Sequence, residues 1–160
     1  AGIIGLYPAE EYPLENFDQV FAVNVRGLFL LTQEIGKSML DRGYGRIIAT
    51  CSIQSLISGI NDSAYVASKH AVAGLVKAFA AEWGGRGVNV NGIAPGFMVT
   101  DNTANLRKNS DAVTEITSRI PLHRWGQPED LMGPVIFLAS EASRYVNGQL
   151  LVVDGGYIIA

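Results

Sequence analysis

The chain has 160 residues, of which 48% are hydrophobic and 17% charged, and its formal net charge is -3 at pH 7. This composition predicts one globular domain with a sizeable core, and the lack of a basic stripe argues against nucleic acid as a partner. No apolar run is long enough to span a bilayer, and a single cysteine, Cys51, excludes an internal disulfide and a multi-cysteine metal site. The first residues also lack a secretory signal, so we expect a cytoplasmic protein with no membrane or metal role.

The first helical pattern contains a polar residue on its apolar side. Between Phe17 and Ile35, apolar residues recur at intervals of three and four, which predicts one amphipathic helix. Asn24 falls on the same stripe. Burying an amide is unfavourable unless its hydrogen bonds are made, so Asn24 either pins the backbone or serves a site.

A strand pattern and a second helix follow. The run from Arg46 to Cys51 is short, largely apolar and without alternation, which is typical of a strand covered on both faces. Ser52 comes directly after it. A helical pattern then extends from about Ala64 to Trp83, and the glycine-rich stretch 84–87 ends it.

The C-terminal half holds two more strand patterns. Val88 to Ile93 predicts a buried strand that ends in Ala94-Pro95-Gly96, and Leu150 to Val153 predicts the last one. A helix is predicted between them, and Pro134 lies inside it. Because proline removes a backbone hydrogen bond, we expect a kink near Asp130.

This alternation predicts an α/β fold, a doubly wound, Rossmann-like parallel sheet with helices on its faces. Ligands bind beyond the carboxyl ends of the strands in such sheets, and Ser52, Pro95 and Gly96 fall at such ends. Alone, Pro95-Gly96 would indicate only an ordinary turn. The segment from Met98 to Gly126 is the least regular and has few apolar anchors, which favours a mobile flap over the site.

Tyr65 and Lys69 are four residues apart on the second predicted helix, so their side chains share one face. An ammonium group near a phenol stabilises the phenolate, which lowers the pKa of the tyrosine towards neutral pH. Such a phenol can give a proton to a carbonyl oxygen. On its own, a Tyr and a Lys at this spacing are more often an ordinary helix surface pair.

Together with Asn24 and Ser52, this pair resembles the short-chain dehydrogenase/reductase family. The gap of 13 residues between Ser52 and Tyr65 matches the family, and so does the run Pro95 to Thr100. The resemblance covers essentially the whole chain, from Ala1-Gly2 to the closing Val153-Asp154-Gly155-Gly156.

The resemblance implies a role for each residue. Tyr65 would be the general acid when a ketone is reduced and the base when an alcohol is oxidised, and Ser52 would bind the substrate oxygen. Lys69 would hold the nicotinamide ribose, and Asn24 would order a water in a proton relay. The nicotinamide half of NAD or NADP would lie against Gly2, Asn24, Tyr65, Lys69, Pro95, Gly96, Met98 and Thr100.

One feature of the family is not found. The family opens with a glycine-rich turn after its first strand, where backbone amides hold the pyrophosphate. The glycines at 84–87 follow a helix instead. We therefore expect residues 1–160 to be a single domain, the C-terminal part of a Rossmann-type dehydrogenase. The N-terminal strands and the residue that selects NAD or NADP would lie upstream of Ala1. Alone, such a piece should bind cofactor poorly and expose apolar surface.

Within the family, the runs 100–103, 124–126 and 130–134 resemble a sugar-acid branch. An anionic substrate needs a positive partner, and the proposed flap and its border carry Arg107, Lys108, Arg119, His123 and Arg124. These residues also fit an ordinary solvated surface. The candidate substrate contacts are Ser52, Gln54, Tyr65, Arg107 and Trp125, although Trp125 is also a natural packing residue.

The leading hypothesis is a nicotinamide-dependent oxidoreductase acting on a secondary alcohol or ketone of a sugar acid. A 3-ketoacyl-thioester reductase or another ketone reductase is an alternative, because the same catalytic core serves all of them. A non-catalytic scaffold that binds cofactor is an alternative from a different class. The resemblance also implies a homotetramer, formed partly through the two long helices and the last strand.

Overall fold

The computed structural model describes residues 2–160. Five α-helices and three β-strands are connected by short 3₁₀ turns in this part of the chain. The regular elements, in chain order, are α1 (Leu14–Phe21), a π-helical segment (Ala22–Gly27), α2 (Leu28–Asp41), β1 (Gly45–Thr50), α3 (Ser63–Trp83), β2 (Val88–Pro95), α4 (Ser110–Ser118), α5 (Met132–Ala139) and β3 (Leu150–Val153).

The strands form a parallel sheet in the order β1-β2-β3, which confirms the predicted α/β class. Thr50 lies opposite Ile93, and Pro95 lies opposite Val153. The central strand β2 is buried at every position from Val90 to Ala94, as expected for a strand with covered faces. The carboxyl ends of all three strands therefore meet at one edge.

The main core lies between α3 and the sheet. Val72, Val76 and Phe79 of α3 pack with Val88 and Val90 of β2 in one buried cluster. Partly buried side chains of α2 and β1 complete this cluster. The long helix that carries Tyr65 is thus held rigidly against the sheet.

The close crossing of α2 and α3 depends on Gly36. A Cβ atom at this position would lie 2.5 Å from Cη2 and 2.7 Å from Cζ3 of Trp83, which is itself buried. We expect Gly36→Ala to lower the free energy of unfolding by about 1–3 kcal/mol, because the rigid indole must shift. Urea denaturation measures this. The matched control is Gly74→Ala on α3, where a Cβ meets no atom within 4 Å, so an equal loss there would contradict the steric explanation.

Two expectations about helices are corrected. The single helix predicted from Phe17 to Ile35 begins at Leu14, ends at Asp41 and is interrupted by the π-helical segment. The kink expected near Asp130 is a change of helix type, because a 3₁₀ turn ends at Leu131 before α5 begins. Pro134 has no N–H group to donate to the carbonyl of Asp130, which explains the break.

The segment from Met98 to Gly126 has more apolar anchors than its sequence suggested. Ile120 and Trp125 are 1% and 7% exposed, and they pack with Ile53 and Tyr157 in a second buried cluster. This cluster covers the carboxyl edge of the sheet beside the strand ends. Whether the segment moves stays a prediction.

No helix within residues 2–160 combines the length and the apolar character needed to cross a bilayer.

Candidate active site

Ser52 lies just beyond the end of β1 and is held by its neighbours. Its hydroxyl accepts a hydrogen bond from the backbone N–H of Gln54 at 3.2 Å, and its own N–H donates to the hydroxyl of Ser55 at 3.3 Å. The Ser55 hydroxyl in turn donates to the backbone carbonyl of Lys69 at 2.9 Å. Ser55 thus ties the loop that carries Ser52 to helix α3.

Tyr65 and Lys69 meet on one face of α3. The Lys69 Nζ lies 5.5 Å from the centroid of the Tyr65 ring and donates to the backbone carbonyl of Thr50 at 2.9 Å. Lys69 is only 4% exposed. Because Thr50 is the last residue of β1, this contact places both side chains beside the strand end that leads to Ser52.

The electrostatics of the pair differ from the expectation. Burial raises the pKa of Tyr65, and the nearby Asp62 and Cys51 side chains raise it further, whereas the hydrogen bond with the Ser52 hydroxyl lowers it. Burial also lowers the pKa of Lys69. The expectation that Lys69 brings the pKa of Tyr65 below its ordinary value is therefore wrong for the protein without ligands, because desolvation of the phenol dominates.

Asn24 pins the backbone through both ends of its amide. Its Oδ1 accepts from the N–H of Ile3 at 2.9 Å, and its Nδ2 donates to the carbonyl of Ile3 at 2.9 Å and to Ser68 Oγ at 3.1 Å. It lies in the π-helical segment and is 4% exposed. The backbone-pinning alternative is thus realised, while a water-ordering role stays a prediction.

Gly2 lies next to two members of the predicted tetrad. A Cβ atom at Gly2 would be 3.4 Å from Asn24 Oδ1 and 3.8 Å from Lys69 Nζ. The Lys69 ammonium has three N–H donors, and among residues 2–160 it gives one hydrogen bond, to the Thr50 carbonyl. The remaining donors fit a ligand that offers hydroxyl oxygens, such as a ribose diol.

The predicted cofactor residues after β2 are fixed by backbone contacts. The N–H of Gly96 donates to Val153 at 3.0 Å, and a Cβ at Gly96 would lie 2.6 Å from the Cβ of Asp154. The Thr103 hydroxyl donates to the carbonyls of Met98 at 2.7 Å and Thr100 at 3.1 Å. These contacts place the run after Pro95 at the same edge as Ser52.

The predicted substrate contacts separate into two groups. Gln54 is half-buried, and its amide donates to the Asp62 carboxylate, close to the tetrad. Arg107 is exposed and donates to Thr100 and Thr103 of its own segment. Trp125 is buried, and its indole N–H donates to the Thr117 hydroxyl at 3.1 Å, which favours the packing role for this residue.

Three of the remaining basic residues already have partners, and one of them is Lys108, whose Nζ donates to Asn105 Oδ1 at 3.0 Å. Arg124 forms a two-pronged ion pair with Asp130 at 2.7 and 2.9 Å, and the guanidinium group lowers the pKa of Asp130 to about 2. Arg119 stacks on the ring of Tyr157 at 4.6 Å. Neither contact brings these guanidinium groups to the tetrad.

Cys51 is buried beside Ser52, and burial raises the pKa of its thiol to about 11. The raised pKa means that the fold favours the neutral thiol, so this stabilisation is complete below pH 9 and is lost as the pH rises through 11. We expect Cys51 to resist alkylation at pH 8 in the folded protein and to react after unfolding. Mass spectrometry of the peptide that contains Cys51 measures this, and rapid labelling of the native protein would contradict it.

The sequence reading missed three residues that support the site. Ser55 and Ser68 connect the tetrad members, and Asp62, which is 4% exposed, lies three residues before Tyr65. An aspartate directly before a helix that carries a candidate acid was the one available signal for Asp62. Within the described residues, no three His, Cys, Asp or Glu side chains group as a metal site.

Known proteins are similar over nearly all of this chain. A family model described as enoyl-(acyl carrier protein) reductase matches residues 1–158. The 2-dehydro-3-deoxy-D-gluconate 5-dehydrogenase of Bacillus subtilis (strain 168) is 51% identical over 158 residues, which are 99% of this chain and 62% of that protein. The chain thus spans less than two thirds of that relative.

Solved structures give the same result. A crystal structure from Beutenbergia cavernae with bound NADP superposes with a TM-score of 0.98 at 51% identity, covering 100% of this chain and 64% of the other. A gluconate 5-dehydrogenase from Burkholderia cenocepacia J2315, in complex with NADP and tartrate, has a TM-score of 0.98 at 38% identity and covers 100% and 63%. The Rossmann-like fold expected from the sequence is confirmed by these structures.

Proposed function

The chain belongs to the short-chain dehydrogenase/reductase family, and we propose that it carries the catalytic groups of an oxidoreductase. The proposed reaction transfers a hydride between a nicotinamide cofactor and a secondary alcohol or ketone of a sugar acid. The relatives named for gluconate and 2-dehydro-3-deoxygluconate favour this substrate class. The 5-position is the proposed reacting carbon, by analogy with their names.

The observation that carries the proposal is the meeting of three side chains at the end of β1. Ser52 is held at the strand end, and the hydrogen bond of its hydroxyl with the Tyr65 phenol lowers the pKa of the phenol. The Lys69 ammonium lies beside the Tyr65 ring. A carbonyl oxygen placed between the hydroxyl and the phenol would receive one hydrogen bond from each. That arrangement suits proton transfer to the oxygen of a ketone.

The residues then have distinct tasks. Tyr65 donates its proton to the substrate oxygen during reduction and takes it back during oxidation, while Ser52 stabilises the charge that develops on that oxygen. The raised pKa of Tyr65 keeps the phenol protonated at neutral pH before any ligand binds. The pKa of Tyr65 would fall beside the positive charge of an oxidised nicotinamide, which is the change that the oxidation direction requires.

The cofactor fits the donor set of the site. When bound, a nicotinamide cofactor supplies or accepts the hydride. The uncommitted N–H donors of Lys69 suit the hydroxyls of a ribose, and Gly2 leaves the space beside Lys69 and Asn24 open. NAD and NADP share this half of the molecule, so both are compatible with the proposal.

The proposal is tested with a substrate panel in the full-length protein. We expect oxidation of gluconate or of 2-dehydro-3-deoxygluconate at the carbon-5 hydroxyl to be coupled to the appearance of the reduced cofactor, measured by its absorbance at 340 nm. Turnover of acetoacetyl thioesters with none of the sugar acids would instead support a 3-ketoacyl-thioester reductase. Binding of cofactor without turnover of any member would support the non-catalytic scaffold.

A homotetramer in the cytoplasm is the proposed assembly and setting. Helices α1 and α2 expose large apolar side chains, including Leu14 (79% exposed), Leu30 (51%) and Leu31 (60%). Such a surface is unusual for a helix that remains in water, so a contact between subunits would account for it. Light scattering of the full-length protein measures the assembly.

A further inference from the structure

We propose that Asp62 is a positioning residue. It turns the amide of Gln54 so that the carbonyl oxygen of Gln54 accepts a hydrogen bond from a substrate hydroxyl, on a carbon next to the reacting one. The inference rests on the proposed function and deepens it, since it selects for substrates with neighbouring hydroxyls. Gln54 is the residue that touches the substrate, and Asp62 acts through it.

The geometry of Gln54 connects the two sides of the site. Its backbone N–H donates to Ser52 Oγ at 3.2 Å, and its side-chain Nε2 donates to Oδ2 of Asp62. Asp62 lies directly before α3, three residues ahead of Tyr65, and its negative charge raises the pKa of the Tyr65 phenol. Gln54 therefore connects the serine, through its backbone, to the start of the helix that carries the tyrosine, through its side chain.

The chemistry of the pair decides which end of the amide faces outward. An ionised carboxylate only accepts hydrogen bonds, so the amide must turn its NH₂ group towards Asp62. The carbonyl oxygen Oε1 of Gln54 then remains for a ligand, and it can only accept. A substrate hydroxyl is a suitable partner for this oxygen, whereas a substrate carboxylate or ketone oxygen is not.

The burial of Asp62 argues against a purely structural pair. The side chain is 4% exposed, and among residues 2–160 its Oδ1 atom has no hydrogen-bond partner. Burial without full pairing is unfavourable for a carboxylate, and it raises the pKa of Asp62. An apolar residue would satisfy packing alone at that position, so the carboxylate is best explained by what it does to Gln54.

The backbone of Gly59 covers the hydrogen bond between the two side chains. A Cβ atom at Gly59 would overlap Nε2 of Gln54 and both carboxylate oxygens of Asp62. Only glycine therefore leaves room for the pair. The replacement Gly59→Ala consequently disturbs the hydrogen bond without removing either polar group.

The test uses the full-length protein and three acids, which are gluconate, 4-deoxygluconate and 6-deoxygluconate. Each analogue lacks one hydroxyl next to carbon 5. We expect wild-type kcat/KM for gluconate to exceed that for one of the analogues by about tenfold, the worth of one good hydrogen bond. Gln54→Met, Asp62→Leu and Gly59→Ala should each remove that preference by slowing gluconate, while turnover of the same analogue changes less than about twofold.

Two controls separate positioning from general damage. Asp41→Asn removes an exposed carboxylate at the end of α2, and Gly85→Ala adds a methyl group where no atom lies within 4 Å, so both should keep the preference. Asp62→Asn retains an acceptor and should keep part of it. The double variant Gln54→Met/Asp62→Leu should lose no more than either single variant, because both act on one contact. Calorimetric binding of the three acids in the Tyr65→Phe background should show the same ratios without turnover.

The outcomes are separable. The inference is overturned if Asp62→Leu loses the same factor in kcat/KM on gluconate and on both analogues. Additive losses in the double variant would also overturn it. A wild type with no preference among the three acids would do the same. If Asp62→Leu does not fold, a full preference in Gln54→Met or Gly59→Ala overturns it. A wild type that oxidises no polyhydroxy acid at all would instead reject the proposed function.

Discussion

Replacing Tyr65 with Phe in the full-length protein is expected to reduce kcat by about 10²- to 10⁴-fold, the usual contribution of a positioned acid or base. The phenylalanine ring keeps the packing of α3 against its neighbours, so the free energy of unfolding should change little. Cofactor affinity should also be retained, because the phenol gives its proton to the substrate oxygen. Stopped-flow turnover, fluorescence titration with the reduced cofactor and urea denaturation measure the three quantities.

The informative result for this variant is which of the three quantities falls. A loss confined to kcat supports proton transfer by the phenol, whereas a parallel loss of stability would indicate a packing role. Unchanged turnover would favour the non-catalytic alternative. Ser52→Ala should reduce kcat less than Tyr65→Phe does, since the hydroxyl stabilises charge on the oxygen but transfers no proton.

Replacing Lys69 with Met is expected to weaken cofactor binding and turnover together, each by about 10- to 100-fold. The ammonium would lose charge-assisted hydrogen bonds to the ribose, and such bonds are worth about 1.5–3 kcal/mol. The side chain is 4% exposed, and burial lowers its pKa, so the charged form is held at a cost in the folded protein. Methionine fills the same space without that cost.

Stability should therefore be little changed in Lys69→Met, even though the Thr50 carbonyl loses its partner. We expect the free energy of unfolding to remain within about 1 kcal/mol of the wild type, measured by urea denaturation. A large loss of stability with cofactor affinity intact would assign Lys69 to the fold. Compared side by side, Tyr65→Phe and Lys69→Met separate proton transfer from cofactor binding.

Much of the fold followed from the sequence because its signals are local. Three short apolar runs predicted the three strands to within two residues at each end, since a strand buried on both faces needs continuous apolar side chains. Helix α3 was predicted over 64–83, because it is long and ends in glycines that stop a helix. The position of Ser52 directly after a predicted strand, together with the family resemblance of Ser52, Tyr65 and Lys69, then led to a candidate site at the strand ends.

Other features depend on contacts that a linear pattern does not contain. The π-helical segment around Asn24 keeps the apolar stripe of an ordinary helix, so the periodicity did not reveal it. The pKa of Tyr65 is raised because neighbours distant in sequence bury it, whereas the sequence showed only the cation four residues away. Trp125 lies in a charged segment, yet Ile53 and Tyr157 enclose it from other parts of the chain.

The sequence by itself determined the class of sheet, the order of its elements and the residue types that can move a proton, because periodicity, glycines and spacing are written along the chain. Only the tertiary structure decided whether the pKa of each of those groups is raised or lowered and which partner each side chain faces. Burial, the close approach of Gly59 to the Gln54–Asp62 pair and the pairing itself arise only in the folded chain, and the free energy of a charged group depends on the groups that surround it.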